Sequence, residues 1–179
     1  MTGETDDAQV ALIAALLELE RHVRDGGWDQ APRLFALVLT DELVASEPEL
    51  AQTLGLRSTA QGGPVGGFTA VEQDEFAPSG DLLGDLAGLE WPKTVQGCAV
   101  CVERSFLPPA AEGRIPEDPV EAAEFVAAHP ERQDVRVVVG VDRAGHQHGL
   151  ARLVSAPDEL LAADDLVPGL VAALAHTLN

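Results

Sequence analysis

A run of β-branched residues in the last third of the chain constrains the fold most strongly. The segment 134–141 carries five valines, and β-branched side chains favour extended strands over helices. The turn-forming residues 142–145 follow it, and the apolar segment 150–154 comes next. Two such segments around a short turn are typical of a β-hairpin. The sequence therefore predicts a sheet that contains at least one antiparallel pair.

Helix and strand patterns alternate along the rest of the chain. Leucines and a valine repeat at helical spacing over 12–23, and Glu20 is expected on the polar side of that helix, away from this apolar stripe. Asp118 before Pro119 is a strong start for a later helix. We predict a first helix from a cap at Thr5 or Asp6 to 25, further helices over 46–55, 81–89 and 118–129, and a last helix from about 164 or 165 to 178. The predicted strands are 33–40, 68–76, 94–106, 134–141 and 150–154. The order α-β-α-β-α-β-α-β-β-α predicts one α+β domain over residues 1–179. Its sheet is expected to be mixed or antiparallel, with four or five strands and helices packed on it.

Charge restricts the classes of partner. The 179 residues include 11 basic and 30 acidic side chains, for a formal net charge of −19. Nucleic acids and anionic membranes both require a basic surface, so the sequence disfavours both as partners. A protein partner with a basic surface is favoured instead.

The sequence also indicates a compartment. The N-terminus is acidic and lacks the pattern of a secretory signal, and no apolar run approaches the length that spans a bilayer. The chain holds only two cysteines, Cys98 and Cys101. We therefore expect a cytoplasmic protein in a reducing environment.

The two cysteines form a C-x-x-C motif inside a predicted strand. Residues three apart on a strand point to opposite faces, which makes a disulfide or a shared metal ion awkward. A zinc or redox sensor that uses Cys98 and Cys101, with His146 and His148 as further zinc ligands, stays as an alternative. Otherwise we expect no cofactor and no metal.

Charged residues flank the predicted hairpin. A turn centred near 143–145 places Arg136 opposite Arg152, and Glu103 on the strand 94–106 is the candidate acid beside them. This polar sheet face has two interpretations. It binds an anion or a carboxylate of a partner, or it is an internally compensated face exposed to solvent.

The most one-sided charge lies between residues 58 and 92, which contain no base. Glu72, Asp74 and Glu75 lie there, next to a Gly- and Pro-rich loop over 56–67. Trp28 and Asp29 precede the first strand, and Trp28 is either an interface anchor or a cap on the core. Trp91 has the same two interpretations. The leading hypothesis is a non-enzymatic binding or adaptor protein whose partner surface includes Glu72, Asp74, Glu75, Trp28 and Asp29.

Several segments together resemble a small, actinobacteria-specific conserved protein family of unknown function. They are W-D-Q-A-P-R-L-F-A-L-V at 28–38, V-E-Q-D-E at 71–75, W-P at 91–92, G-C-A-V-C-V-E-R at 97–104, D-V-R-V-V-V-G-V at 134–141 and L-V-P-G-L-V-A-A-L at 166–174. The resemblance implies a bacterial cytoplasmic protein and assigns no reaction and no functional residue.

An enzyme remains a second alternative. No nucleophile motif, phosphate loop or metal-ligand spacing occurs in the sequence. A small-molecule hydrolase could still use Asp, Glu and His side chains carried on loops. A cavity in which such groups converge would favour that hypothesis.

Overall fold

The computed structural model describes residues 2–62, 67–164 and 166–178. Within them, the helices are α1 (Thr2–Asp25), α2 (Thr40–Ser46), α3 (Pro48–Thr53), α4 (Leu82–Ala87), α5 (Pro109–Glu112), α6 (Pro119–Ala128) and α7 (Pro168–Thr177). The strands are β1 (Arg33–Leu39), β2 (Phe68–Glu72), β3 (Val95–Phe106), β4 (Gln133–Asp142), β5 (Gln147–Leu153) and β6 (Ala156–Ala163). A 3₁₀ turn covers Thr59–Gln61.

The strands form one sheet in the order β2-β1-β3-β4-β5-β6, and all neighbours are antiparallel. The predicted α+β class and the hairpin of β4 and β5 are confirmed. The expected four or five strands are too few, because β6 adds a sixth at one edge. Most of β6 is exposed and it carries Asp158 and Glu159, so it lacks the apolar pattern by which a strand is predicted. The predicted order also missed the short helices α2 and α5.

Helix α1 covers one face of the sheet. Its residues Leu12, Leu16, Leu19 and Val23 are buried against side chains of β1, β3, β4 and β5. The helix approaches β4 closely at Gly140, where a Cβ atom would lie 2.6 Å from Leu16 Cδ2. Glycine at this position therefore sets how deeply α1 sits on the sheet.

Helices α4 and α7 cover the opposite face. Leu86 and Leu174 are fully buried there against alternate valines of β4, whereas Val138 faces α1 on the other side. Burial on both faces explains why the valine run is nearly continuous rather than alternating. The predicted cap of α6 is confirmed, since the Asp118 carboxylate accepts a hydrogen bond of 3.0 Å from the Glu121 amide.

Among the described residues, no helix is both long enough and apolar enough to cross a membrane.

Candidate functional site

Charged side chains cross one end of the sheet in register. Glu103 of β3 pairs with Arg136 of β4, which pairs with Arg152 of β5, as the turn position predicts. The interpretation of this row as a face exposed to solvent is wrong. Only 1% of Arg136 and 6% of Arg152 is exposed, because the end of α1 and the segment that follows it cover the row.

Trp28 covers Arg136. The guanidinium of Arg136 lies 4.5 Å from the centre of the Trp28 ring, and its Nη2 donates to the Gly27 carbonyl and, at 3.4 Å, to Glu103 Oε2. The buried Nε of Arg136 has no hydrogen-bond partner among the described residues. Trp28 itself is half-buried. Its ring closes the polar end of the α1 face and still presents part of its surface to solvent.

Glu103 holds the segment before β1 in place. Its two carboxylate oxygens accept hydrogen bonds of 2.9 Å from the amides of Asp29 and Gln30. Asp29 adopts a positive φ of 65°, a conformation that aspartate tolerates better than most residues. The Asp29 side chain is exposed at this end of the sheet.

The second arginine of the row forms a buried ion pair with α1. Arg152 donates to both oxygens of Glu20, at 2.6 Å and 3.2 Å, and its Nη1 donates to the Pro157 carbonyl. The expectation that Glu20 lies on the polar side of α1 is wrong, because Glu20 is buried, with only 4% of the residue exposed. Helical spacing alone did not show that a buried arginine would draw this carboxylate inward.

Half of the six acids in the stretch 72–90 form contacts within the chain. Arg33 donates to both oxygens of Glu72, at 2.7 Å and 2.6 Å, and this pairing lowers the pKa of Glu72. Asp81 accepts from the Gly84 amide at the start of α4. The Asp85 carboxylate accepts from the amide and hydroxyl of Ser79, which lowers the pKa of Asp85. The other three acids of the stretch are Asp74, Glu75 and Glu90.

The structure brings the sequence-predicted partner residues to the same end of the sheet. A cavity of about 300 Å³ lies between Gln30, Glu72 and Asp74, and a second of about 440 Å³ lies between Gln30, Trp28 and Asp29. Among the described residues, no hydrogen bond or ion pair engages the carboxylates of Asp29, Asp74 and Glu75. We call these three carboxylates, with the two cavities, the acidic end. The Gly- and Pro-rich loop enters β2 at the opposite end, where the Gly67 carbonyl accepts from the Thr40 amide, and its residues 63–66 lie outside the described residues.

Internal contacts occupy many of the eleven bases. Carboxylates pair with Arg33, Arg132, Arg136 and Arg152. The guanidinium of Arg143 instead donates to carbonyls of the turn before β3, of β3 itself and of the end of α7. The unpaired charge that the molecule presents outward is therefore mainly negative.

The C-x-x-C cysteines point to opposite faces of the sheet, as their spacing predicts. Cys98 lies in the core under α7 and Cys101 in the core under α1. Burial raises the pKa of Cys98 to about 11 and that of Cys101 to about 12. Both thiols are therefore protonated and shielded at neutral pH.

The two histidines of the hairpin pair with separate carboxylates. His146 Nδ1 lies 2.7 Å from Asp142 Oδ2, and His148 Nδ1 lies 3.0 Å from Asp164 Oδ1. Neither imidazole is grouped with a cysteine. Within residues 2–62, 67–164 and 166–178, no three His, Cys, Asp or Glu side chains are close enough to hold a metal ion.

Trp91 is half-buried against the α4–α7 core, and its Nε1 donates to Thr177 Oγ1 at 2.9 Å. This bond joins the turn before β3 to the end of α7.

One surface feature was missed from the sequence. Two adjoining cavities of about 620 Å³ and 460 Å³ form a groove between α1 on one side and β2 with the segment 54–57 on the other. Val10 and Leu54 line it, and 63% and 54% of these residues are exposed. The sequence signal was Val10, an apolar residue that lies outside the buried stripe of α1.

Comparison with known proteins gives one positive finding. A family model described as PPA1309-like protein matches residues 12–179. No curated protein matches the chain, and no solved structure does. The resemblance to a conserved family is thereby confirmed.

Proposed function

The chain belongs to the PPA1309-like protein family, and we propose that it is a non-enzymatic adaptor whose acidic end binds a basic surface of another protein. The supporting observation is that three exposed carboxylates at this end of the sheet, those of Asp29, Asp74 and Glu75, accept no hydrogen bond within the described chain, and that the partly exposed ring of Trp28 lies next to Asp29. Lysine or arginine side chains of a partner would pair with these carboxylates. The Trp28 ring offers the kind of aromatic contact that often dominates the energy of an interface.

Long-range electrostatics favour the same partner. The net charge of −19 attracts a basic surface and repels nucleic acids and anionic membranes. Arg33 and Arg136 near this end already pair with internal carboxylates, so they offset little of the attraction. Arg104 and Arg132 line the cavity beside Trp28, so we expect the basic groups of the partner to lie mainly over Asp74 and Glu75. The proposed setting is the cytoplasm of an actinobacterium, which rests on the sequence resemblance.

Neither alternative has a comparable observation in its favour. A hydrolase needs a group whose pKa is brought close to neutral pH inside a cavity. The carboxyl pKa values that shift, those of Glu72 and Asp85, move down, and both thiol pKa values move up. The zinc or redox sensor would have to join Cys98 and Cys101 across the sheet.

The test is a binding comparison between two variants that carry the same charge change. The acidic-end variant combines Asp29→Asn, Asp74→Lys and Glu75→Lys. Glu72 is left unchanged, because a lysine there would face Arg33 and disturb the fold. The control combines Glu42→Gln, Glu47→Lys and Glu49→Lys. These exposed side chains lie on α2, between α2 and α3, and on α3, after the opposite end of β1.

Each immobilised protein is incubated with lysate of cells that express it natively, at low and at moderate salt. We expect the wild type and the control to retain the same stoichiometric partner, and the acidic-end variant to lose it. Retention should also fall as salt rises, since the Debye length is about 10 Å at 0.1 M. Equal retention by the acidic-end variant, or no stoichiometric partner at either salt level, would contradict the proposal.

A further inference from the structure

We propose that the groove beside α1 docks an amphipathic α-helix of a partner protein, one that carries basic residues along the edge of its apolar stripe facing α1. The groove meets the acidic end at Glu72, which lines a cavity of each, and most of the rest of its lining belongs to α1, β1, β2 and the segment 54–57. The inference therefore does not depend on which partner the acidic end binds.

The dimensions of the groove fit a helix. The α1 residues that line it run from Asp7 to His22, which corresponds to about 22 Å at 1.5 Å per residue. The wall that α1 contributes includes Ala11, Ala14 and Ala15, and their small side chains leave room for a neighbouring helix axis at about 8–10 Å.

The two cavities match the spacing of helix anchors. The first is lined by α1 residues up to Glu18, and the second extends from Ala15 to His22. Their centres are therefore about 9 Å apart along α1, close to two turns of a helix. Bulky apolar side chains at positions i and i+7 of a docked helix would each enter one cavity, as in other helix-in-groove complexes.

Charge at the rim sets the orientation of the occupant. On the α1 side, Asp7 and Glu18 have no ion pair or hydrogen bond among the described residues. On the opposite side, Arg57 likewise lacks a carboxylate partner within the described chain. A docked helix should therefore place lysine or arginine over α1 and an acidic residue opposite Arg57.

Glu72 and His22 lie at the far end of the groove. Glu72 is already paired with Arg33, and His22 is exposed on α1. The charge pattern of the rim thus depends mainly on Asp7, Glu18 and Arg57.

The probe is a synthetic helical peptide about five turns long. It carries leucines at positions i, i+4 and i+7, lysines on one flank of that stripe and one glutamate on the other. A peptide of identical composition, scrambled to remove the helical period, is the peptide control. Binding is measured by fluorescence anisotropy, and the conformation of the bound peptide by circular dichroism.

The matched protein variants are Ala14→Phe, which fills the groove, and Ala123→Phe, the same change at an exposed alanine of α6. We expect Ala14→Phe to weaken binding of the helical peptide at least about tenfold, and Ala123→Phe to leave it within about twofold. Glu18→Lys should weaken it too, and a peptide with its flanking charges exchanged should restore binding to that variant.

Several results would overturn the inference. These are no binding of the helical peptide, equal binding of the scrambled peptide, equal binding by Ala14→Phe, or a β-strand signal from the bound peptide. The acidic-end variant is measured in the same assay and should bind the peptide normally. Failure at the groove is thereby distinguished from failure at the acidic end.

Discussion

Removal of one partner from the Glu20–Arg152 ion pair should destabilise the fold strongly. The two side chains are 5% and 7% exposed, and Arg152 donates to both carboxylate oxygens. Glu20→Ala would leave the guanidinium buried without its counter-charge, which typically costs about 3–5 kcal/mol. For a domain of this size, each kcal/mol corresponds to about 2–4 °C in Tm, so a loss of about 6–20 °C is expected.

Replacement of both partners should be far less costly than replacement of one. In the double variant Glu20→Leu, Arg152→Met, the pair gives way to apolar side chains of similar size, and no charge is left without a partner. Such replacements are often neutral or stabilising. Most of the free energy of unfolding lost in Glu20→Ala should therefore be recovered.

The free energies are to be measured by urea denaturation, followed by circular dichroism. The control is Arg132→Gln, which removes an exposed pair with Asp134 at 3.5 Å and should cost less than about 1 kcal/mol. If Glu20→Ala costs no more than Arg132→Gln, the buried pair does not contribute to stability as argued here. If the double variant is as unstable as Glu20→Ala, the cost arises from packing rather than from an unpaired charge.

Three further outcomes are expected. Arg143→Ala should lower the free energy of unfolding by about 1–3 kcal/mol in urea titrations, because carbonyls of β3, of the turn before it and of α7 lose their shared donor. The pairing with Arg33 lowers the pKa of Glu72, so the pair stabilises the fold above the ordinary glutamate pKa and stops doing so as pH falls through the lowered value. The difference in free energy of unfolding between wild type and Glu72→Gln should therefore shrink on acidification, and a difference that stays constant would contradict this. Cys98 and Cys101 should resist a thiol reagent at mildly alkaline pH in the native protein and react fully in denaturant, because both are buried; fast labelling of the native protein would contradict that.

The parts of the fold that follow from local pattern were predictable. The valines of β4 indicated a strand, and the turn residues and apolar segment after them indicated its pairing with β5. The three-residue spacing of Cys98 and Cys101 predicted their separation onto two faces. The register of Arg136 with Arg152 followed from the position of a tight turn. Each of these predictions needs only strand geometry and neighbours along the chain.

The buried charges could not be predicted in the same way. Glu20 and Arg152 are 132 residues apart in sequence, and each is buried only because the other is present. Arg136 is similarly buried because Trp28 and Glu103 enclose it. A charged side chain is rarely buried without a partner, so each of these residues, considered alone, is predicted to lie on the surface.

The edge strand and the groove were missed for a related reason. β6 has an exposed, acidic sequence, and it is a strand because its backbone bonds to β5 rather than because its side chains need burial. The groove depends on the distance between α1 and the segment 54–57. That distance follows from the packing of α1 on the sheet, which joins residues far apart in sequence, and not from a local pattern.

The placement of the arginines explains how so acidic a chain folds and still keeps its charge available. Arg33 and Arg152 each stabilise the fold by pairing with one acid, and Arg143 does so by binding carbonyls. Exposed acids outside these pairs, such as Asp74, can pair with basic groups of another molecule. Lysine at position 72 should therefore destabilise the fold strongly, whereas lysine at position 74 should do so much less, because the exposed Asp74 acts on Arg33 without a direct bond. Stability and partner binding can thus be altered separately at two acids that are two residues apart.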